Sequence, residues 1–474
     1  MGSRVLVSAL LAAIVVATPL AAQQCVLLPA GSWATDVTPD GSVVVGLYPG
    51  GSFVWKWKQD SAPTFIPGGK AAAVSDDGKT VAGTIDDPVV NAEVAAIWTQ
   101  STGWKSLGWL PNAQNCPSRS NAYAISGDGT TVVGLSWNGC DGRGFRWTAA
   151  TGMQELWPQG NGQNRCSAIS RDGSALGGFA QGNFNRTPAY WIPFLTGAVL
   201  DMNFEGEVLG FNNNGSLSVG TLVFNTNNEY DAFIRDQQSG VITYLGHLNN
   251  GWSGNAMDIS EDGTVIAGFD NLGLAREAWV WTAGGGVKSL NSRLAAMGVT
   301  GVPPLEVCNA MSDDGQVIVG GADVPGGGAG FIAQLSPLVP YGTGTPGCTG
   351  PELLFANELP RVNTPTFTLL CASAPPLSTG LWLVADAASF AGTDPFGLGV
   401  KLHVDLFGAT QLFAPVGTSD ANGLGSAPLP IPNSPVISGA TFYAHVVWAW
   451  PASVCSNGPF GLSSSNGLAI TILP

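Results

Sequence analysis

Short runs of apolar residues, many of them β-branched, alternate along the chain with turns that contain Asp-Gly or Asn-Gly. Runs of this length favour strands over helices. An Asp-Gly or Asn-Gly pair between two such runs is a strong signal for a β-hairpin, because both central residues of a type I′ turn need positive φ. The pattern therefore predicts many short antiparallel strands.

One hairpin pattern occurs seven times: an apolar residue, usually Ser, any residue, Asp-Gly or Asn-Gly, then mostly apolar residues ending in Gly. Its copies are Val37–Gly46, Val74–Gly83, Ile125–Gly134, Ile169–Gly178, Phe211–Gly220, Ile259–Gly268 and Met311–Gly320. Neighbouring copies lie on average about 46 residues apart, which is typical of the four-stranded blades of a β-propeller. A calcium loop would need a later Glu ligand, and a sialidase-type Asp box would need an aromatic after its Gly. Both are missing, so the turn is interpreted as structural.

Each hairpin, which we call strands A and B, is followed by a variable loop and by two further strand-like segments, C and D. Segment C carries aromatic residues at a fixed place, in the short runs that begin at Phe53, Ile97, Phe145, Tyr190, Phe233, Trp279 and Phe331. Segment D follows a turn that often contains Gly, as at residues 103–108, 152–156, 240–246 and 286–290. We predict that the aromatics pack between neighbouring blades rather than form a ligand cage.

The seventh unit has no D segment of its own, because Pro337 follows soon after its C segment. Residues 24–29 look like the other D segments and stand directly before the first A strand. A chain start that completes the last blade closes the ring and removes its exposed edges. The predicted fold is therefore all-β, a seven-bladed β-propeller closed by the N-terminal strand, with an open solenoid as the alternative.

Residues 30–335 resemble the HAF family of extracellular repeats, whose motif has the same order of Ile-Ser-x-Asp-Gly, Val-Val-Gly, Ala-Phe-x-Trp-Thr and Leu-Gly-x-Leu. The fifth unit departs from this motif at Asn214 and Phe233, and the fourth has the irregular sequence Trp191-Ile-Pro193. The resemblance implies secretion and a propeller-like fold. It implies no activity, so it supplies no catalytic residues.

The repeat stops near Leu338, where the turn-rich sequence Tyr341-Gly-Thr-Gly-Thr-Pro-Gly begins a different module. Its strand-like runs are residues 366–372, 381–385, 401–407, 441–450 and 468–473. Several alternate with period two, which predicts a small C-terminal β-sandwich. The module resembles the tail domain with this sequence that recurs in secreted planctomycete proteins, which implies attachment, sorting or adhesion.

Residues 1–22 read as a secretory signal, with Arg4 before an apolar run and small residues up to Ala22. The run is short for a transmembrane helix, which is the alternative interpretation. We therefore predict a signal peptide over 1–22, the propeller over 23–337 and the tail over 338–474. The protein is expected outside the cell or at its surface, with the periplasm as the alternative.

Composition and net charge narrow the class of protein and the choice of partners. Hydrophobic residues make up 45% of the chain, which excludes a disordered protein. The net charge of −15 argues against nucleic acid and anionic membrane as partners.

The eight cysteines include no Cys-x-x-Cys pair, which argues against zinc-ribbon and thioredoxin-type sites. In an exported protein they are available for disulfides. Cys116 and Cys140 stand in two loops that a propeller brings to one face, so we predict that they pair, with Cys140–Cys166 as the alternative. Cys348–Cys371 is the pair expected in the tail. The partners of four others stay open: Cys25, Cys166, Cys308 and Cys455.

Candidate catalytic groups are few. The three histidines, His247, His403 and His445, have no second ligand nearby in sequence, so we predict no metal, cofactor or Ser-His-Asp triad. Several acids could meet on a propeller face: Asp36, Asp86, Asp87, Asp258, Glu261 and Asp323. They are interpreted as solvated loop acids, or alternatively as a glycosidase pair.

Two functions follow from these observations. The first is a secreted, monomeric, non-enzymatic binding or adhesion protein whose B–C loops contact an extracellular glycan or protein. These loops vary while the strands repeat, at residues 84–94, 135–144, 179–188, 221–231 and 269–277. The second is a carbohydrate hydrolase that uses paired loop carboxylates.

Overall fold

The fold is known from a computed structural model. It describes residues 25–60, 62–111, 118–138, 140–156, 162–181, 186–191, 205–223, 230–282, 285–297, 299–347, 350–434, 437, 440–450 and 461–472. The predicted signal peptide (residues 1–22), Cys116, Cys348 and Cys455 lie outside these ranges. One compact unit comprises Cys25–Arg293 and Gly301–Leu335, and the other runs from Ser336 onward and includes Leu294–Thr300. The break after Leu335 falls close to the predicted junction at residue 337.

The first unit is a seven-bladed β-propeller, as predicted. Its elements are β1 (Cys25–Ala30), β2 (Trp33–Val37), β3 (Val44–Tyr48), β4 (Gly51–Trp55), β5 (Thr64–Pro67), β6 (Gly69–Val74), β7 (Thr80–Asp87), β8 (Ala92–Thr99), β9 (Gly103–Gly108), β10 (Ser120–Ile125), β11 (Thr131–Asn138), β12 (Asp141–Thr148), β13 (Gly152–Glu155), β14 (Asn164–Ile169), β15 (Leu176–Gln181), β16 (Arg186–Trp191), β17 (Gly206–Phe211), β18 (Leu217–Val223), β19 (Tyr230–Asp236), β20 (Ile242–Tyr244), β21 (Ser253–Ile259), β22 (Val265–Leu272), β23 (Ala275–Thr282), β24 (Gly286–Ser289), the helix α1 (Leu290–Ala296), β25 (Leu305–Met311), β26 (Val317–Ala322) and β27 (Ala329–Gln334).

Each blade is an antiparallel sheet, and in blades 1 to 6 the strands follow one another in chain order from the axis outward. Blade 7 has the order β25-β26-β27-β1 from the axis outward. Blades 1, 2 and 3 are β2–β5, β6–β9 and β10–β13, and the three described strands of blade 4 are β14–β16. Blades 5 and 6 are β17–β20 and β21–β24. The innermost strand of every blade contacts that of the next, and β25 contacts β2, so the ring is complete.

The start of the chain closes blade 7. Strand β1 pairs antiparallel with β27, with Val26 opposite Ile332 and Leu27 opposite Phe331. Val26 and Leu28 are 1% and 5% exposed, because they point into the core shared by blades 7 and 1. The predicted closure is confirmed, and the open solenoid is excluded.

Each Asp-Gly turn is held by its own polar side chains. In blade 2, Ser75 Oγ donates to Asp77 Oδ1 (2.8 Å) and accepts from the N–H of Thr80 (3.0 Å). Asp77 Oδ1 also accepts from the N–H of Lys79 (3.0 Å), and Gly78 takes the positive φ of 68° that the turn requires. The same contacts recur in the pairs Thr38/Asp40, Ser126/Asp128, Ser170/Asp172, Ser260/Asp262 and Ser312/Asp314. The aspartates of these turns therefore have the structural role that was predicted for the turn.

The glycine that ends each copy of the repeat pattern is needed for close packing rather than for the turn. Gly46 lies beneath the ring of Phe53, and a Cβ there would stand 2.8 Å from the ring and overlap the carbonyl of Trp33. Gly134 and Phe145 repeat this arrangement. Because Phe145 is fully buried against Ala73 and other residues of blade 2, the predicted packing of the aromatics between blades is confirmed.

The second unit is the predicted C-terminal β module. Its strands are β28 (Leu338–Tyr341), β29 (Leu353–Ala356), β30 (Thr368–Ala372), β31 (Thr379–Ala385), β32 (Ala388–Thr393), β33 (Leu402–Val404), β34 (Leu412–Phe413), β35 (Val416–Ser419), β36 (Gly425–Pro428), β37 (Thr441–Ala449), β38 (Leu462–Ser464) and β39 (Gly467–Thr471). The main sheet has the order β28-β39-β37-β31-β35-β36-β30-β29, and its two ends contact each other, so it is barrel-like.

The central strands of this sheet are buried on both faces. One face packs around Trp382 and Trp448, both 0% exposed, and the other packs around Tyr443 and Leu402 beneath the two-stranded sheet β32-β33. The period-two pattern predicted one buried face for Leu468 and Ile470. Ala469 between them is buried as well, because β33 covers the second face.

One predicted disulfide and one alternative pairing are absent. Cys371 carries a free thiol that points into the apolar core beside Trp448, so the expected Cys348–Cys371 pair is not formed. Cys166 is likewise free and buried, which removes the alternative Cys140–Cys166 pair. Cys140 lies exposed and its expected partner Cys116 is outside the described residues, so that pairing stays a prediction. Free thiols are also found at two further positions, Cys25 and Cys308.

Candidate functional site

The propeller has two ends of different construction. The Asp-Gly turns lie at one end, which we call the turn face, and the B–C loops lie at the other, which we call the loop face. At the turn face, the N–H of Asp76 donates to the carbonyl of Gly127 (2.9 Å), and the N–H of Gly127 donates to that of Arg171 (2.7 Å). The N–H of Asp313 donates to the carbonyl of Pro39 (2.9 Å), so a backbone bond of the same kind also joins the turns of blades 7 and 1.

Two of the predicted acids lie at the same repeat position near the axis. Asp36 in β2 and Asp258 in β21 stand two residues before the Ser or Thr of their turns, where the other blades have Ala or Gly. Asp36 accepts from the N–H of Val74 in blade 2, and Asp258 accepts from the N–H of Met311 in blade 7, both at 2.8 Å. Each carboxylate therefore ties its own blade to the next one.

Arg171 reaches these acids from the turn of blade 4. Its guanidinium donates to the carbonyls of Val74 (2.9 Å) and Val37 (3.1 Å), and lies 3.7 Å from Asp36 and 3.4 Å from Asp76. One side chain thus connects blade 4 with blades 1 and 2. We call Arg171, Asp36 and Asp258 the axial cluster.

Burial sets the electrostatics of the axial cluster. It raises the pKa of Asp36, and it raises the pKa of Asp258 to about 7. Burial acts to lower the pKa of Arg171, but the carboxylates of Asp36 and Asp258 raise it above its ordinary value. Because the acids are occupied by backbone N–H groups and by Arg171, the cluster is built to hold blades together.

The other four acids predicted from the sequence lie outside the axial cluster. Glu261 accepts from the N–H of Asn213 (2.7 Å) within the turn face. Asp86 and Asp87 end β7 at the loop face, and Asp323 follows β26 there. The acids named from the sequence therefore form no single catalytic pair.

A cavity of about 330 Å³ opens instead at the loop face. Its walls come from the starts of the innermost strands of blades 5 and 6, from the ends of their B strands, and from the starts of β16 and β19. The lining residues are Arg186, Glu205, Gly206, Glu207, Thr221, Tyr230, Ser253, Asn255 and Asn271. Its size lies at the lower end of the range for small-ligand sites.

Hydrogen bonds from neighbouring side chains set the position of Glu207 in the wall of this cavity. Its carboxylate accepts two bonds from Arg165 Nη2, at 2.6 and 2.7 Å, and one from Arg165 Nε at 3.0 Å. Ser167 Oγ donates to the same carboxylate. Arg165 is held in turn against the rings of Tyr123 and Phe179, 5.6 and 5.1 Å from their centroids. The charge of Glu207 is therefore compensated and its orientation is set.

Tyr230 and Glu205 form a second part of the cavity wall. The Tyr230 hydroxyl donates to Glu205 Oε1 (2.9 Å), and burial together with this contact raises the pKa of Tyr230 to about 12. Opposite them, Asn255 Nδ2 donates to Asn271 Oδ1 (2.9 Å). The cavity thus presents amide, hydroxyl and carboxylate groups beside an aromatic ring.

Sequence reasoning named Asp36 and Asp258, but it missed Arg171 and the residues that line the cavity. Comparing the residue before Asp-Gly across the seven turns could have found Arg171, which is the one cation at that position. The cavity residues carry no such signal, because Glu205, Tyr230 and Asn255 come from separate segments outside the repeated pattern.

The histidines have structural surroundings. His247 is hydrogen-bonded to Asp231, and both His403 and His445 are completely buried in the tail. Within the described ranges, no group of three or more His, Cys, Asp or Glu residues is arranged to hold a metal ion. No helix of the described chain is long and apolar enough to cross a membrane.

Several solved propeller structures resemble this fold at low identity. A putative TolB from Agrobacterium tumefaciens is 14% identical, over 52% of this chain and 78% of that chain, with a TM-score of 0.35. The β-propeller domain of the Trilobed protease from Pyrococcus furiosus is 10% identical over 65% and 97%, with a TM-score of 0.45. An oligogalacturonate lyase from Vibrio parahaemolyticus is 11% identical over 65% and 91%, with a TM-score of 0.43. No protein-family model and no curated protein matches the chain.

Proposed function

We propose that this chain is a non-enzymatic binding protein that takes a glycan in the loop-face cavity. The observation that carries the proposal is the chemistry of the lining: Asn255 and Asn271 amides, the Ser253 hydroxyl and a Tyr230 ring meet in one concave site. Amides and hydroxyls match the hydroxyl groups of a sugar, and an aromatic ring offers an apolar face for stacking.

The charges favour an uncharged ligand. Glu207 is neutralised by Arg165, and the remaining charges of the lining, Glu205 and Arg186, are of opposite sign. The chain as a whole carries −15, which disfavours polyanions. We therefore propose a neutral oligosaccharide.

A glycan array with the purified chain tests this proposal. Binding to a defined set of neutral glycans supports it, with dissociation constants then measured by calorimetry. An array without binding above the level of a denatured control contradicts it.

A second candidate is the carbohydrate hydrolase, which is favoured by the presence of two carboxylates, Glu205 and Glu207, in the same cavity. Both carboxylate oxygens of Glu207 accept hydrogen bonds from Arg165, so this carboxylate is engaged within the protein. A hydrolysis screen on polysaccharides separates the two functions. Turnover that is lost in Glu205→Gln supports the hydrolase, and binding without turnover supports the binding protein.

We also propose that the protein is exported and monomeric, acting outside the cell or in the periplasm. The support is the sequence of residues 1–22 and the resemblance to extracellular repeats. Fractionation of the native host, with the mature N-terminus sequenced, tests the location, and sedimentation tests the monomer.

A further inference from the structure

A tight turn at residues 249–252 lies in the connection from blade 5 to blade 6. The N–H of Trp252 donates to the carbonyl of Asn249 (3.2 Å), and Gly251 between them has a φ of 79°. This is the geometry of a type II turn, with Asn250 and Gly251 as its central residues. Strand β21 begins directly after the turn at Ser253, which lines the loop-face cavity.

An Asn-Gly pair can modify itself without an enzyme. The backbone nitrogen of the glycine forms a bond to the side-chain amide carbon of the asparagine, and glycine offers no side chain that blocks this approach. The side-chain nitrogen leaves as ammonia, with the proton that the glycine nitrogen gives up. Water then opens the resulting five-membered imide at either carbonyl. One opening gives aspartate, and the other gives isoaspartate, whose backbone is longer by a methylene.

The reacting groups of Asn250 and Gly251 are open to solvent. Both residues are exposed, and among the described residues no hydrogen bond engages the Asn250 side chain or the N–H of Gly251. In a type II turn, only the carbonyl of the first residue and the N–H of the last are joined to each other. The glycine nitrogen is therefore free to attack, and the asparagine side chain is free to turn toward it.

The same pair at the turn of blade 5 is protected. The N–H of Gly215 donates to the carbonyl of Asn212 (3.1 Å), and Asn214 Oδ1 accepts from the N–H of Ser216 (2.9 Å). Both reacting groups of this pair are thus held by hydrogen bonds. Attack at Asn214 requires that the turn first opens.

Two further described Asn-Gly pairs, both in the tail, are also held. The N–H of Gly423, which follows Asn422, donates to the carbonyl of Asp420 (3.1 Å). Asn466 is 7% exposed, and its Oδ1 accepts from the N–H of Leu354 (2.7 Å). The pairs at 138–139, 161–162 and 457–458 include residues outside the described ranges.

We propose that Asn250 is a self-modification site, and that its conversion to isoaspartate opens the turn before β21. The N–H of Asn249 donates to Asp270 Oδ2 and its Nδ2 donates to Glu277 Oε2, each at 3.0 Å, so the start of the turn is fixed. An additional backbone atom after Asn249 enlarges the ring that the Trp252 bond closes, and this bond is lost. The inference goes beyond the proposed function, because it requires no ligand.

Incubation of the purified full chain at mildly alkaline pH and physiological temperature tests the modification. Trypsin cleavage after Arg235 places Asn214 and Asn250 on different peptides, and mass spectrometry detects the replacement of the side-chain NH2 by OH. We expect Asn250 to convert at least about tenfold faster than Asn214, because Asn214 reacts only after local opening. Asn250→Gln is the matched control, since its longer side chain closes the ring much more slowly. Equal rates at the two asparagines, or an unchanged Asn250, overturn the site.

Amide exchange tests the change in the turn. The modified molecules carry an additional negative charge, so ion exchange separates them from the unmodified chain. In the isoaspartyl form, the Trp252 amide should exchange at least about threefold faster than in the unmodified chain. Asn250→Asp carries the same charge on a backbone of ordinary length and should exchange like wild type. An isoaspartyl form that exchanges like wild type, or an Asn250→Asp variant that exchanges as fast as the isoaspartyl form, overturns the opening by the longer backbone.

Discussion

The two ends of the propeller arise from the same seven repeats, yet they differ in construction. At the turn face, a connection of constant length repeats its bonds in every blade and joins neighbouring blades through the backbone. At the loop face, the B–C connections vary, and polar side chains line a cavity instead of bonding only to one another. The comparison teaches that this repeat places backbone bonds between neighbouring blades at one end, while the other end carries the variable loops and the cavity.

Removing the closing strand should have the largest effect on the ring. Deleting Cys25–Ala30 from the mature chain exposes the outer edge of β27 and removes the buried Val26 and Leu28, each worth about 1.5–3 kcal/mol. We expect the free energy of unfolding of the propeller to fall by at least about 4 kcal/mol, measured by urea denaturation. The control is Leu27→Ser, a residue of the same strand that is 43% exposed. Equal stability of the deletion and the control would contradict the closure.

Arg171→Met tests the axial cluster. The variant leaves Asp36 and Asp76 without their cation and removes bonds to the carbonyls of two other blades. Removing one partner of a buried charge pair costs about 3–5 kcal/mol, and we expect a loss near the lower end because water reaches part of the site. Thermal and urea unfolding measure it. Lys79→Ala, at an exposed turn ion pair, should change stability by less than about 0.5 kcal/mol, and a similar loss in both variants would refute a special role for Arg171.

The pH dependence of the free energy of unfolding tests the role of Asp258. Its pKa rises from the ordinary 3.8 to about 7 in the fold, so the folded state binds this proton more tightly than the unfolded chain. Its contribution is full below the unfolded pKa and is lost as the pH rises toward about 7. Asp258→Asn should therefore flatten the decline in unfolding free energy across this window. Parallel curves for wild type and variant would show that Asp258 does not titrate there.

The smallest of these effects is expected at a single turn. Asp128 accepts from Ser126 Oγ (2.6 Å) and from the N–H of Thr130 (2.9 Å), and these bonds lower its pKa, with the Ser126 bond as the main cause. Asp128→Ala should cost about 0.5–1 kcal/mol at neutral pH. Because the folded pKa is depressed, the difference should disappear as the pH falls below about 4. An exposed acid without a turn role, Asp86→Ala, serves as control, and a cost that persists at low pH would contradict the explanation.

Most of the propeller followed from spacing, because six Asp-Gly turns and one Asn-Gly turn, each followed by a segment with aromatic residues, leave few other folds. The closure by β1 was also readable, since the seventh unit lacked a fourth strand. The cavity was not, because proximity of Glu205, Tyr230 and Asn255 depends on how three separate segments are placed by the ring. Cys371 shows the same limit: its spacing suited a disulfide, but its side chain fills an apolar core.

The most direct test of the division between the two faces compares glycan binding by two matched variants. Asn255→Ala removes an amide from the loop-face cavity, and Thr264→Ala removes an exposed hydroxyl from the turn face. By calorimetry with the best glycan of the array, Asn255→Ala should bind at least about tenfold more weakly, about 1.4 kcal/mol, at a temperature where the variant is fully folded. Thr264→Ala should bind like wild type. Undiminished binding by Asn255→Ala together with loss in Thr264→Ala would place recognition at the turn face and contradict the account.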